Sequence, residues 1–219
     1  VWARIPDAGA AETQRAIDAA HRAFPAWSSL RFQERAQLLL KMGEIWDKRS
    51  QDYVVAAQYE GGGGYGKGMF EAGHVSETFR VAAGLCYRAI GEILPSQHGK
   101  VSTAVRVPMG VVGVISPWNV PGILTSRGFA FAMAVGNTIV LKPSEETPYA
   151  GGLFFAEILE EAGVPNGVFN VITASRDRTP EVGDELIDNP LVKGISFTGS
   201  TPVGRRIAAK CGAHLKKCC

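Results

Sequence analysis

Gly199-Ser200-Thr201-Pro202-Val203-Gly204 sets its two glycines at the spacing of a phosphate-binding loop. ATP chemistry would then need Lys and Ser or Thr, one for phosphate and one for magnesium. Arg205 and Arg206 stand there instead, which argues against an ATPase. The setting still suits an anion. An extended apolar run ends at Phe197, and a helix is expected from Pro202, whose missing N–H costs nothing in a first turn. Free backbone N–H groups at that helix start, with the Ser200 hydroxyl, are able to hold a pyrophosphate oxygen. A plain strand-to-helix turn capped by Ser200 or Thr201 explains the same residues. Spacing alone leaves both readings open.

A second glycine run, Gly61-Gly62-Gly63-Gly64-Tyr65-Gly66, fits G-x-G-x-x-G. A dinucleotide fingerprint follows a strand and opens a helix, whereas this run follows a helical stretch ending at Glu60. Five glycines in six residues also satisfy almost any glycine pattern. The run reads as a flexible helix–helix connection. The cysteines are Cys86, Cys211, Cys218 and Cys219. They form no C-x-x-C pair, and no His stands at zinc-ligand spacing, so no metal site is expected. Cys86 falls on the apolar face of an expected helix, where packing is its role. A reduced, cytoplasmic setting is the default expectation.

Such groups need a scaffold to bring them together. The first 90 residues read as helical. Ala16, Ile17, Ala20 and Phe24 recur at helical spacing up to Pro25, which should end the run. Phe32, Ala36, Leu39, Leu40 and Trp46 mark a second helix, and Val75, Phe79, Ala82, Ala83, Cys86 and Ile90 a third. Charged residues occupy the opposite faces. From Gly91 to Pro108 the period becomes two. Val101, Thr103, Val105 and Val107 alternate with Ser102, Ala104 and Arg106, as in a strand or hairpin with one exposed face.

From Gly110 onward, short β-branched runs alternate with helical patterns. Strands are expected at Val111–Ile115, Thr138–Leu141, Val168–Ile172 and Gly194–Phe197. Helices are expected near Ile123–Val135, through Phe154, Ile158, Leu159 and Ala162, near Val182–Ile187 and near Val203–Lys210. Four strand–helix units in a row, with strands buried on both faces, predict an α/β fold, an open parallel sheet with helices on each side. Ligands of such sheets bind beyond the carboxyl ends of the strands. Ser116–Pro121, Lys142–Glu145, Ala174–Gly183 and Thr198–Gly204 should therefore converge on one crevice.

Bulk properties narrow the class further. The chain has 219 residues, 46% apolar and 20% charged, with a net charge of +2. Its Lys and Arg are scattered, so neither nucleic acid nor an anionic membrane is an expected partner. The longest apolar stretch, near Phe129–Val135, is far too short to span a bilayer. Val1-Trp2-Ala3-Arg4-Ile5-Pro6 lacks the charged start and apolar core of a signal peptide, and the missing initiator Met points to a trimmed chain.

Four segments taken together resemble the aldehyde dehydrogenase superfamily, in the family's order. They are Pro108–Asn119 (PMGVVGVISPWN), Gly136–Glu145 (GNTIVLKPSE), Gly163–Asn170 (GVPNGVFN) and Phe197–Ser200 (FTGS). The likeness extends back through the helical portion and covers nearly the whole chain. It implies a Rossmann-like dinucleotide-binding domain built from residues 109–219 with helical residues 1–90. Residues 91–108 would form a β oligomerisation arm that packs on a partner subunit, giving a homo-oligomer, dimer or tetramer. It also implies oxidation of an aldehyde substrate to an acid with NAD, NADP being second choice.

Residue roles follow from the same resemblance. Asn119 matches the asparagine that stabilises the oxyanion formed when a thiolate attacks the aldehyde, by donating a fixed amide N–H. Turn chemistry in Pro-Trp-Asn-Val-Pro is the structural explanation of that residue. Lys142 and Glu145 match contacts to the adenosine ribose, where a carboxylate accepts from two hydroxyls and repels a 2′-phosphate. A solvated loop capped by Ser144 or Glu145 is their structural explanation. Ile115, Ser116, Pro117 and Trp118 match the loop along the dinucleotide, although Trp118 also fits a core anchor. Phe197, Thr198, Gly199, Ser200 and Val203 match the pyrophosphate and nicotinamide side. Gly183 resembles a helix-start glycine that lets the adenine approach.

The family places its Glu-Leu-Gly-Gly motif shortly after His214–Cys219, and its nucleophilic cysteine further on. None of the cysteines here fits the nucleophile, and no residue matches the general base. The expectation is a chain without the catalytic domain and without aldehyde oxidation of its own. Tyr65-Gly-Lys-Gly68 and Gln97-His-Gly-Lys100 resemble the branch acting on aromatic aldehydes such as benzaldehyde or vanillin. A non-catalytic nucleotide-binding module, or a relative reducing acyl phosphates with NADP, are the alternatives.

Overall fold

A computed structural model describes residues 4–219; Val1–Ala3, part of the stretch read for a signal peptide, lie outside the described residues. Four helices come first: α1 (Ala10–Ser29), α2 (Phe32–Lys48), α3 (Ser50–Gly61) and α4 (Tyr65–Leu85). The sequence patterns marked three. Only Arg49 separates α2 from α3, and no Pro or Gly signals that joint. The glycine run does connect helices, α3 to α4, as expected from its position after Glu60.

Pro25 does not end α1, contrary to the sequence expectation; it lies inside the helix with its ring exposed. Trp27, two residues on, is buried and donates its indole N–H to the Met133 carbonyl at 3.2 Å. The Ser29 hydroxyl donates to the Pro25 carbonyl at 2.7 Å. Tertiary anchoring of the last turn thus overrides the loss of one helical hydrogen bond. The third expected helix ends at Leu85, short of Ile90, which is exposed. Cys86 caps it, half-buried, and donates its thiol to the Ala134 carbonyl at 3.3 Å.

The hairpin β1 (Gly91–Leu94) and β2 (Ser102–Val105) pairs antiparallel. One covered face was expected, but every residue of both strands is exposed. Ile93 and Val101 are each 80% exposed, and among the described residues the only extensive packing of β1 is on β2.

The remaining elements alternate: β3 (Val111–Ile115), α5 (Pro121–Ala134), β4 (Thr138–Lys142), a π-helical turn (Tyr149–Leu153), α6 (Phe154–Ala162), β5 (Phe169–Val171), α7 (Thr179–Asp188), β6 (Val192–Phe197), α8 (Thr201–Ala213) and β7 (Lys217–Cys218). Strands β3 to β7 form one parallel sheet of order β5-β4-β3-β6-β7. The expected Rossmann-like sheet with helices on both faces is therefore what the chain forms. The strand β7 had no sequence signal.

Alternation along the strands splits the core in two. Val112, Val114, Ile139 and Leu141 face α2–α6, where Trp46, Phe79, Phe129, Phe154 and Phe155 are buried. Val111, Val140, Val192 and Ile195 face the other side, with Ile17, Leu186 and Ile207 from α1, α7 and α8. The chain's opening is stitched to the sheet. The Ala8 N–H donates to the Thr173 carbonyl at 2.9 Å, the Thr173 hydroxyl to the Pro6 carbonyl at 2.7 Å, and the Ser175 N–H to the Asp7 carboxylate at 2.7 Å. Among the described residues no helix is long and apolar enough to cross a membrane.

Candidate nucleotide-binding crevice

The order β5-β4-β3-β6-β7 reverses direction at β3. Chains leaving β3 and β6 therefore pass to opposite sides, and a crevice opens between their carboxyl ends. Backbone bonds tie the strand ends together. The Thr198 N–H donates to the Ile115 carbonyl at 3.1 Å, and the Ser116 N–H to the Lys142 carbonyl at 3.2 Å. Asn119, Glu145 and Ser200, read from three separate motifs, thus follow three adjacent strands at one sheet edge.

The loop after β3 bends over Trp118–Val120 into α5, whose first residue is Pro121. Asn119 is exposed, and its side-chain amide has no partner among the described residues. Trp118 is 55% exposed, which rules out the core-anchor alternative. Ser116 turns inward, its hydroxyl accepting from Thr125 at 2.8 Å. Ile115 packs into the core, and Pro117 is half-buried.

After β4, Lys142 is 3% exposed and places its ammonium 3.3 Å from Glu145 Oε2. Arg176, from the loop after β5, reaches Glu145 Oε1 at 3.3 Å and Glu146 at 2.8 Å. Burial pushes the Glu145 carboxyl up, but its own backbone N–H, Lys142 and Arg176 outweigh this, and it sits below the usual carboxylate range. Burial lowers Lys142, against the pull of Glu145. Glu145 is thus an ionised acceptor between two cations. Ser144 is buried, and its hydroxyl accepts from the Glu146 N–H at 3.3 Å, so it closes its own turn. Gly183 lies inside α7 rather than at its first residue, and a methyl group there would meet nothing within 4 Å.

After β6, Gly199 has a steric reason: a Cβ there would lie 2.5 Å from the Phe197 ring. Ser200 is the residue before α8, yet its side chain makes no capping bond. The capped-turn explanation therefore finds no bond from Ser200. Its hydroxyl remains exposed at the mouth of an open pocket of about 450 Å³, lined by Thr198, Gly199, Ser200, Gly204 and Arg205. Val203 is half-exposed on the first turn of α8. The sequence reading missed Arg176 and Arg205. Arg176 lies in a loop whose contacts no pattern encodes, and Arg205 counted only as a departure from the P-loop.

Fold and crevice together define a doubly wound α/β domain of the kind that takes nucleotides at its switch point. The aldehyde dehydrogenase family profile matches residues 1–219, and the chain belongs to that family. It is 41% identical over 207 residues to a benzaldehyde dehydrogenase [NAD(+)] of Pseudomonas putida, covering 94% of this chain and 42% of that protein. A succinate-semialdehyde dehydrogenase [NADP(+)] of Escherichia coli is 38% identical over 97% of this chain and 44% of its own length. The crystal structure of an NAD-dependent benzaldehyde dehydrogenase from Corynebacterium glutamicum superposes with a TM-score of 0.94 at 37% identity, covering 100% of this chain and 48% of that one. The chain thus spans less than half the length of these relatives.

Proposed function

We propose that this chain supplies the dinucleotide site and the oxyanion asparagine of an NAD-dependent aldehyde dehydrogenase acting on an aromatic aldehyde. One observation carries the reading. The segments bearing Asn119, Glu145 and Ser200 meet at the switch point of a single parallel sheet. The residues present fit a dinucleotide. Glu145 offers an ionised acceptor for ribose hydroxyls, and the uncapped start of α8, with the Ser200 hydroxyl and Arg205, suits a diphosphate. Open space over Gly183 leaves room for an adenine. Bound NAD+ supplies a hydride acceptor. Asn119, exposed and unpartnered among the described residues, donates its amide N–H to the oxygen that gains charge.

The Glu145 carboxylate favours NAD, since a 2′-phosphate would meet like charge. Arg176 and Lys142 soften that preference. Calorimetric titration of the chain with NAD should give saturable binding. Glu145→Ala should weaken it by about tenfold or more, the typical effect of losing a hydrogen bond to a charged group, and Ser200→Ala should weaken it less. Wild-type affinity in both variants would remove the site assignment. Tenfold tighter binding of NADP than NAD would overturn the cofactor preference.

The nucleophile and general base are proposed to lie outside these residues. Cys211 is buried, and burial pushes its thiol up to about 11, the reverse of an activated nucleophile. Buried residues from Trp27 to Ala83 and from Val112 to Val168 share one core cluster, which supports reading the helical part and the sheet as one domain. The hairpin within residues 91–108 is proposed as the arm that docks on a second copy, because exposed strand edges recruit another chain. Sedimentation velocity should show self-association that the double change Ile93→Lys, Val101→Lys reduces. An unchanged distribution would count against the arm.

A further inference from the structure

Glu71 on α4 is fully buried, yet nothing in the proposed chemistry uses it. Three donors converge on its carboxylate: the Tyr53 hydroxyl at 2.8 Å, the Lys67 ammonium, and the Gly122 backbone N–H at 3.0 Å. Tyr53 is itself buried on α3. Burial, then the neighbouring Glu71 charge, push its hydroxyl far above the usual range, so it stays a donor. Gly122 is the second residue of α5, where backbone N–H groups have no partner inside the helix. A carboxylate there satisfies one of them and complements the positive end of the helix. The fit leaves no slack. A Cβ at Gly122 would collide with the Tyr53 hydroxyl and come within 3.3 Å of Glu71.

The clamp sits three residues beyond Asn119. The other end of the same loop is held at Ser116, by its N–H to Lys142 and its hydroxyl to Thr125. Between those fixed points, Asn119 has no side-chain partner among the described residues. Its aim is therefore set by the two ends of the loop. We propose that Glu71 is a positioning residue: by clamping the first turn of α5 it sets where the loop presents the Asn119 amide. This rests on the oxyanion reading of Asn119. Lys67 and Tyr53 hold the Glu71 carboxylate in place.

The test is a double-mutant cycle in the catalytically competent enzyme that carries this chain, with thermal unfolding of each variant. Glu71→Gln keeps an acceptor but loses the charge that holds Lys67. It should lower kcat by about tenfold to a hundredfold, the range for a small misplacement of a catalytic group, with KM for NAD unchanged. Added to Asn119→Ala, it should cost nothing further, since both act through one amide. Tyr53→Phe removes a single donor, keeps the ring, and should show the same pattern more weakly; it decides the matter if Glu71→Gln does not fold. Additive losses, or a lower melting temperature with kcat unchanged, would overturn the role of Glu71 and leave Asn119 standing. No loss in Asn119→Ala would instead overturn the oxyanion reading, and the clamp's catalytic role with it.

Discussion

Asn119→Ala should lower kcat for aldehyde oxidation by about 100- to 1,000-fold in the competent enzyme, the cost of losing one oxyanion donor, or roughly 3–4 kcal/mol. The loss should fall on kcat more than on KM. The amide meets charge that exists only once the carbonyl is attacked, so it contributes little to ground-state binding. NAD affinity should not change, because Glu145 and Ser200 lie on other loops. The side chain is exposed and makes no bond to the rest of the fold among the described residues, so truncation should leave the melting temperature within a degree or two. Steady-state kinetics with calorimetric cofactor binding checks both parts. Unaltered kcat would mean that Asn119 serves only the turn.

Trp46→Ala should be the most damaging single change to the fold. The indole is fully buried and stacks on Phe155 at 4.9 Å with an interplanar angle of 16°. Phe154 and Tyr53 close on it at 5.3 and 4.8 Å, and its N–H donates to the Ala72 carbonyl at 2.9 Å. Truncation removes the centre of an aromatic cluster joining α2, α3, α4 and α6 and leaves a cavity that close-packed neighbours fill poorly. Large aromatic truncations of this kind cost about 3–5 kcal/mol. Urea denaturation would read the change as a fall in midpoint. A loss below about 1 kcal/mol would show that the cluster repacks. The same change reaches Tyr53, and through it Glu71 and Gly122. Some catalytic loss should therefore accompany the instability.

The sheet was largely legible because buried parallel strands need β-branched runs, and helices following them need apolar repeats. β3 matched its expected bounds, and β4 and β6 extended them by one or two residues. Where tertiary contacts outweigh local preference, the pattern misled. Pro25 sits inside α1 because Trp27 is pinned to Met133. The hairpin shows alternation, yet all its strand residues are exposed among the described residues. The candidate site divides the same way. Asn119, Glu145 and Ser200 stood out because strand ends fix their place, and the family resemblance gave them roles. Arg176 and Glu71 were silent, since each acts through a partner 31 or 51 residues away, a distance no periodicity reports.

The bonds from Pro6, Asp7 and Ala8 to Thr173 and Ser175 join segments about 168 residues apart. On a ribosome the first of these emerges long before the second exists. Pro6, Asp7 and Ala8 must then wait, undocked, while helices α1–α6 and three strands of the sheet are made. Contacts between such distant segments carry a large loop-closure cost and slow folding. The seam at Thr173 and Ser175 should therefore form late during biogenesis, and Pro6–Ala8 should stay protease-sensitive on the nascent chain until those residues have emerged.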